Sequence, residues 1–113
     1  STSGPAVDSA GSVNVSCNQP AAYQIRLDAG LHSGGQFIAR NMSRVQGLET
    51  MQYNLYRDAS RTLIWGDGTG GSSIVTGNNP GVSQSIPLYG RIYAGQNLHT
   101  GEYADVVTVT VDW

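Results

Sequence analysis

Tyr103-Ala104-Asp105-Val106-Val107-Thr108-Val109-Thr110-Val111-Asp112-Trp113 closes the sequence. In its second half Val107, Val109, Val111 and Trp113 fall on one side, and Thr108, Thr110 and Asp112 on the other. A two-residue period rich in β-branched residues is the pattern of a strand with one dry face and one wet face. The expectation is that no later segment pairs with its far edge, and a long terminal strand with an apolar face invites another strand to cover it. The cover comes either from an earlier segment of this chain or from a different chain. The functional reading turns on that choice.

Working outward, the same alternation recurs. Ser12–Cys17 sets Val13, Val15 and Cys17 against Ser12, Asn14 and Ser16, and Ala22–Asp28 sets Tyr23, Ile25 and Leu27 against Gln24, Arg26 and Asp28. The turn signal Asn18-Gln19-Pro20 between them predicts a hairpin. Thr50–Arg57 carries Met51, Tyr53 and Leu55 on one face. Phe37–Arg44 is a less regular strand, Thr62–Trp65 is short and apolar, and Ser73–Thr76 is a short edge strand. Ser83–Tyr93 contains Pro87, which cannot donate to a ladder and so predicts an edge or a bulge. Residues 1–11 read as a loop. Gly66–Gly71 reads as a tight reversal whose glycines supply positive φ. No helical period is sustained. About seven or eight short strands with regular turns predict one all-β antiparallel sandwich spanning residues 1–113.

Composition narrows the chemistry. Charged residues make up 12% of the 113 residues and the formal net charge is −2. All six basic residues are arginine. That balance offers no basic patch for nucleic acid and no polybasic membrane anchor, and the lack of lysine removes Schiff-base chemistry and Lys–Asn isopeptide links. No apolar run approaches the roughly 20 residues that span a bilayer, so no membrane insertion is expected. No signal-peptide pattern opens the sequence, which reads as mature, trimmed or cytosolic. The single cysteine, Cys17, is either a lone thiol or half of a disulfide whose partner lies in a segment not present here.

Catalytic and metal-binding patterns are weak. His32 and His99 sit in predicted loops with too few further ligands, so neither a metal nor a cofactor is expected. There is no Gly-x-Ser-x-Gly elbow and no local Cys–His signature. Asp58 and Asp67 lie in turns, where aspartate bonds its own backbone. Gly66–Gly71 lacks the Gly-Lys-Ser/Thr of a phosphate loop and the several carboxylates of a calcium loop. The sequons Asn14-Val15-Ser16 and Asn41-Met42-Ser43 fall on predicted strands. No catalytic residue is expected, and the chain does not read as an enzyme. Tyr23, Tyr53 and Trp113 read as core. Trp65, Tyr56, Tyr89 and Tyr93 stay open between sheet packing and a sugar-stacking or partner surface.

Three stretches, YNLYRDASRTLIWGDGTGG (Tyr53–Gly71), LYGRIYAGQNLHTGEYADVVTVTVDW (Leu88–Trp113) and SVNVSC (Ser12–Cys17), resemble the spore coat protein U domain family. Together they make up a little under half of the residues and are spread from Ser12 to Trp113. That family includes pilin subunits of archaic chaperone–usher pili. The resemblance implies an incomplete immunoglobulin-like sandwich that lacks its last strand. A periplasmic chaperone lends a strand during transit to an outer-membrane usher, and the N-terminal extension of the neighbouring pilin subunit then replaces it. It implies a secreted cell-surface fibre with roles in adhesion and biofilm formation. The donor groove would be lined by Val107, Val109, Val111 and Trp113, with Val13, Val15, Tyr23, Ile25, Leu27, Met51, Tyr53 and Leu55 facing the same core. It further implies that a donor extension, a first strand and a cysteine partner for Cys17 belong upstream of residue 1. The alternatives are a tip adhesin domain that binds carbohydrate or abiotic surfaces, or a self-contained spore coat or matrix protein.

Overall fold

The computed structural model describes residues 5–96 and 101–113. Its strands are β1 (Val7–Val15), β2 (Ala21–Leu27), β3 (Asn41–Arg44), β4 (Thr50–Tyr56), β5 (Val75–Asn79), β6 (Gln84–Ile92), β7 (Tyr103–Ala104) and β8 (Val109–Asp112), with one 3₁₀ turn at Phe37–Ala39. Five strands form a sheet in the order β1-β6-β4-β3-β7, and three form a sheet in the order β5-β2-β8. Every pairing between named strands is antiparallel. The expected all-β antiparallel architecture is the one observed.

The two sheets are joined into one curl by residues 63–66. The Trp65 amide donates to Leu55 O of β4 (3.0 Å), and the Leu27 amide of β2 donates to Gly66 O (3.2 Å). Following the hydrogen bonds therefore gives β1-β6-β4-(63–66)-β2-β8, with β1 and β8 as the two ends. Inside the curl lie Val15, Tyr23, Ile25, Leu27 and Trp65, all buried, with Val13, Leu55, Val75, Ile86, Leu88, Val107 and Val111 packed against them. Trp65 has no exposure at all and donates its indole N–H to Ile25 O (3.0 Å). The open reading of Trp65 thus resolves to core, because its polar edge finds a backbone acceptor inside. Tyr56 is also buried, with its hydroxyl against that of Tyr93.

Several sequence expectations need correction. The hairpin between Ser12–Cys17 and Ala22–Asp28 does not form. β1 pairs along its whole length with β6, and β2 pairs with β5 and β8. Residues 15–21 carry the chain from one wall of the curl to the other, so the two strands end up across the core rather than side by side. β1 also begins at Val7, inside the expected loop, and ends before Cys17. The alternation was invisible there because Asp8, Ser9, Ala10 and Gly11 are small or polar and exposed. Residues 37–39 form the 3₁₀ turn and only Asn41–Arg44 is strand. Pro87 sits in a strand with neighbours on both sides, yet β4 meets β6 only from Tyr89 to Ile92. At Pro87 the strand has β1 alone beside it, so the missing N–H costs no ladder bond. The Gly66–Gly71 reversal has positive φ at Gly68, Gly70 and Gly71, as expected.

Arg61 adopts φ 57°, a left-handed conformation that costs a side-chain-bearing residue about 1–2 kcal/mol. Its side chain offsets that cost. Nε donates to Gly90 O (3.1 Å), Nη2 to Ser9 O (3.1 Å) and Nη1 to Ala59 O (3.0 Å), and the guanidinium lies 5.6 Å from the Tyr89 ring centroid. The 58–62 turn is thereby strapped across β6 and β1. Arg61→Ala keeps the strain and loses the strap, and should destabilise by about 1–2 kcal/mol. Arg61→Gly loses the same bonds but relieves the backbone, so its loss should be smaller by about 0.5–1 kcal/mol. Urea denaturation of the two variants checks the order.

Candidate functional site

The candidate site is the outer edge of β8. Asp28 N donates to Thr108 O (3.1 Å), so even-numbered residues of this segment turn their backbone groups toward β2. Antiparallel pairing alternates in direction with each residue. The N–H and C=O of Val109 and Val111 therefore point away from β2, where no strand pairs with them among the described residues.

The same two residues carry core-facing side chains. Val109 stands opposite Leu27, and Val111 opposite Ile25. Directly opposed residues share a face, and Leu27 and Ile25 are buried in the core. Yet Leu27 is 2% exposed while Val109 across from it is 42% exposed, and Trp113 is 56% exposed. Trp113 reaches Tyr23 edge-on, with centroids 6.2 Å apart. The core is thus closed over β2 and open over β8. On the opposite face the expected wet pattern holds, with Arg26 paired to Asp112 at 2.6 Å and both half in water. β1, at the other end of the curl, has β6 on one side and an unpaired edge on the other among the described residues.

The strand expected over Val107–Trp113 is shorter than its alternation. Tyr103–Ala104 belongs to the five-stranded sheet and Val109–Asp112 to the three-stranded one, so residues 105–108 cross between them. Two aspartates hold the crossing. Asp105, with its side chain 3% exposed, accepts from the Leu31 amide (2.9 Å) and the Tyr53 hydroxyl (2.5 Å). Asp28 Oδ1 accepts from the amides of Thr108 (3.0 Å) and Gly30 (3.0 Å). Gly30 has φ 81°, and a Cβ there would collide with the Asp105 carboxylate. Burial, then the Asp105 carboxylate, push the Tyr53 phenol well above its ordinary pKa, so it remains a donor throughout the physiological range. His32 Nε2 lies 3.9 Å from Asp105.

Of the candidate groove residues, Val13, Val15, Tyr23, Ile25, Leu27, Leu55, Val107 and Val111 share the single core cluster. Met51 is half-buried at the β3–β4 pairing, and Tyr53 is buried but turned to Asp105. Val109 and Trp113 are at the open edge. An opening of about 400 Å³ between Met42, Tyr53, Leu55, Tyr103, Ala104, Asp105 and Val107 leads into this side of the core. The sequence reading missed Ile86, Leu88 and Val75 as core, and it missed the buried polar residues Arg40, Asn54 and Asn79. Ile86 and Leu88 were legible from alternation with Ser85 and Pro87. Lone Arg and Asn residues carry no such signal.

Cys17 is half-buried and free among the described residues. No group of three or more His, Cys, Asp or Glu is placed to hold a metal among the described residues, and His99 lies outside them. No helix among the described residues is long and apolar enough to cross a membrane.

A family model for the Spore Coat Protein U domain matches residues 1–110. The chain is 30% identical over 105 residues to Protein U of Myxococcus xanthus, covering 89% of this chain and 58% of that protein. It therefore spans little more than half the length of that relative. Its fold superposes with a TM-score of 0.63 and 26% identity on a chain in the CsuC–CsuE chaperone–tip adhesion subunit pre-assembly complex from the archaic chaperone-usher Csu pili of Acinetobacter baumannii, covering 96% of this chain and 34% of that one.

Proposed function

This chain belongs to the Spore Coat Protein U domain family, and from that premise we propose that it is a non-enzymatic pilin-type subunit completed by a β-strand from another chain. The observation that carries the reading is the contrast between Leu27 and Val109: opposed in one ladder on one face, the first dry and the second wet. An extended segment along β8 would bond the free groups of Val109 and Val111 and cover their side chains. Strand addition of this kind draws affinity from the main chain and specificity from every second side chain. A periplasmic chaperone would supply the strand in transit and a neighbouring subunit would supply it in a surface fibre. The resemblance to a chain from a chaperone-bound pilus complex supports both partners.

The test is direct. The chain is incubated with a synthetic strand peptide in which valine alternates with serine and lysine, and with a proline-containing scramble of it. The expected result is a complex with the first peptide that survives unheated SDS gels, collapses on boiling and melts at higher temperature than the free chain, since a ligand bound only by the native state raises its stability. A cooperatively folding monomer indifferent to both peptides would replace this reading with a self-contained coat or matrix domain.

A further inference from the structure

The free edge of β8 is longer than the strand that bears it. Val107 lies two residues before Val109, so an extended backbone from one to the other gives it the same orientation, with side chain to the core and N–H and C=O to the open edge. Its side chain does pack on the core. Its backbone groups have no partner among the described residues. What fixes it there is not a ladder but the pair of carboxylates on either side. Asp105 ties the incoming end to Leu31 and Tyr53, and Asp28 ties Thr108 to β2. Gly30 leaves the room that the Asp105 carboxylate occupies.

We propose that Asp105 is a positioning residue for strand addition: with Asp28 it clamps the crossing segment so that Val107 forms part of the acceptor edge. This rests on the strand-acceptor reading and extends it. The occupant is the same extended segment of a neighbouring chain, bonded from Trp113 through Val107 and filling the opening beside Tyr53, Leu55 and Val107 at its far end. The clamp works before the strand arrives. A free crossing segment would have to order its backbone on binding, and ordering even one residue opposes association.

Amide hydrogen exchange reads this out residue by residue. In the free chain the Val107, Val109 and Val111 amides should exchange quickly, and with the alternating strand peptide bound all three should be protected. Asp105→Ala should lose protection at Val107 alone and bind the peptide about tenfold more weakly, as expected for losing one pair of backbone bonds. Asp105→Asn keeps an acceptor for Leu31 and a donor toward the Tyr53 oxygen, and should restore both protection and affinity. Should Asp105→Ala fail to fold, Tyr53→Phe removes one bond of the clamp and should show the same selective loss in weaker form. Protection that stops at Val109 in the unmodified chain, or that includes Val107 in Asp105→Ala and Tyr53→Phe, overturns the clamp while leaving strand addition standing. Absence of any peptide-induced protection overturns both.

Discussion

Val109→Asp should leave the subunit folded and abolish strand addition. Val109 is exposed enough in the free chain that a carboxylate there can stay hydrated, so the cost to folding is small. Once a strand lies along β8 the same group would be shut in the core face opposite Leu27. An uncompensated charge in such a place costs roughly 3 kcal/mol or more. That corresponds to more than a hundredfold in affinity. Thr110→Asp is the control, because Thr110 is on the wet face opposite Arg26. Peptide titration followed by melting temperature should show binding for Thr110→Asp and none for Val109→Asp. Equal binding by both would mean that the added strand does not cover this face.

The second large effect is expected at Arg40, where no strand partner is involved. Arg40 has no exposure, and its charge is met by dipoles rather than by a carboxylate. Nη1 donates to Asn54 Oδ1 (2.8 Å), and Nη2 donates to Asp28 O (2.6 Å) and Trp65 O (2.7 Å). The guanidinium also lies 5.6 Å from the Phe37 ring centroid. Desolvation lowers its pKa, with partial recovery from Tyr53 and the nearby aspartates. The fork thus joins β4, the 63–66 bridge and the end of β2, which are the three pieces that turn two sheets into one curl. Arg40→Met fills the volume but takes the Arg40 donor from Trp65 O and Asp28 O and leaves Asn54 Oδ1 with the Leu55 amide alone, each lost bond worth about 1–3 kcal/mol. A loss of about 3–5 kcal/mol is expected, seen as a lower denaturant midpoint at constant slope. Arg40→Lys should fall between, since one ammonium on a flexible stem cannot reproduce the planar fork. A methionine variant as stable as the parent would show that the three carbonyls find other donors.

The strands were legible wherever apolar and polar residues alternate strongly. The expected Ala22–Asp28, Thr50–Arg57 and Ser83–Tyr93 correspond to the observed Ala21–Leu27, Thr50–Tyr56 and Gln84–Ile92. Their pairing was not legible, because alternation gives each strand its dry face but not its neighbour. The hairpin expectation failed for that reason. The last strand was legible as an open edge, but its first half was not. Val107 reads as strand from its side chain, whereas the position of Asp105 near Leu31 and Tyr53 depends on residues 74 and 52 places away. Arg40 and Asn54 escaped notice for a similar reason, and Trp65 stayed open: each matters through backbone carbonyls that no sequence pattern marks.

The antiparallel seam between β2 and β8 also decides how load would travel. From Leu27–Val109 to Gln24–Asp112 its hydrogen bonds lie across the strand direction. A strand added on the outer edge would place a second set of such bonds on the other flank of β8. Tension along that added strand would then act on the whole row at once, in shear, instead of opening bonds one after another from an end. Rupture would require the row to fail together, and its lifetime would follow the unfolding rate rather than the binding equilibrium. The domain could in this way act as a mechanically durable link whatever its equilibrium stability.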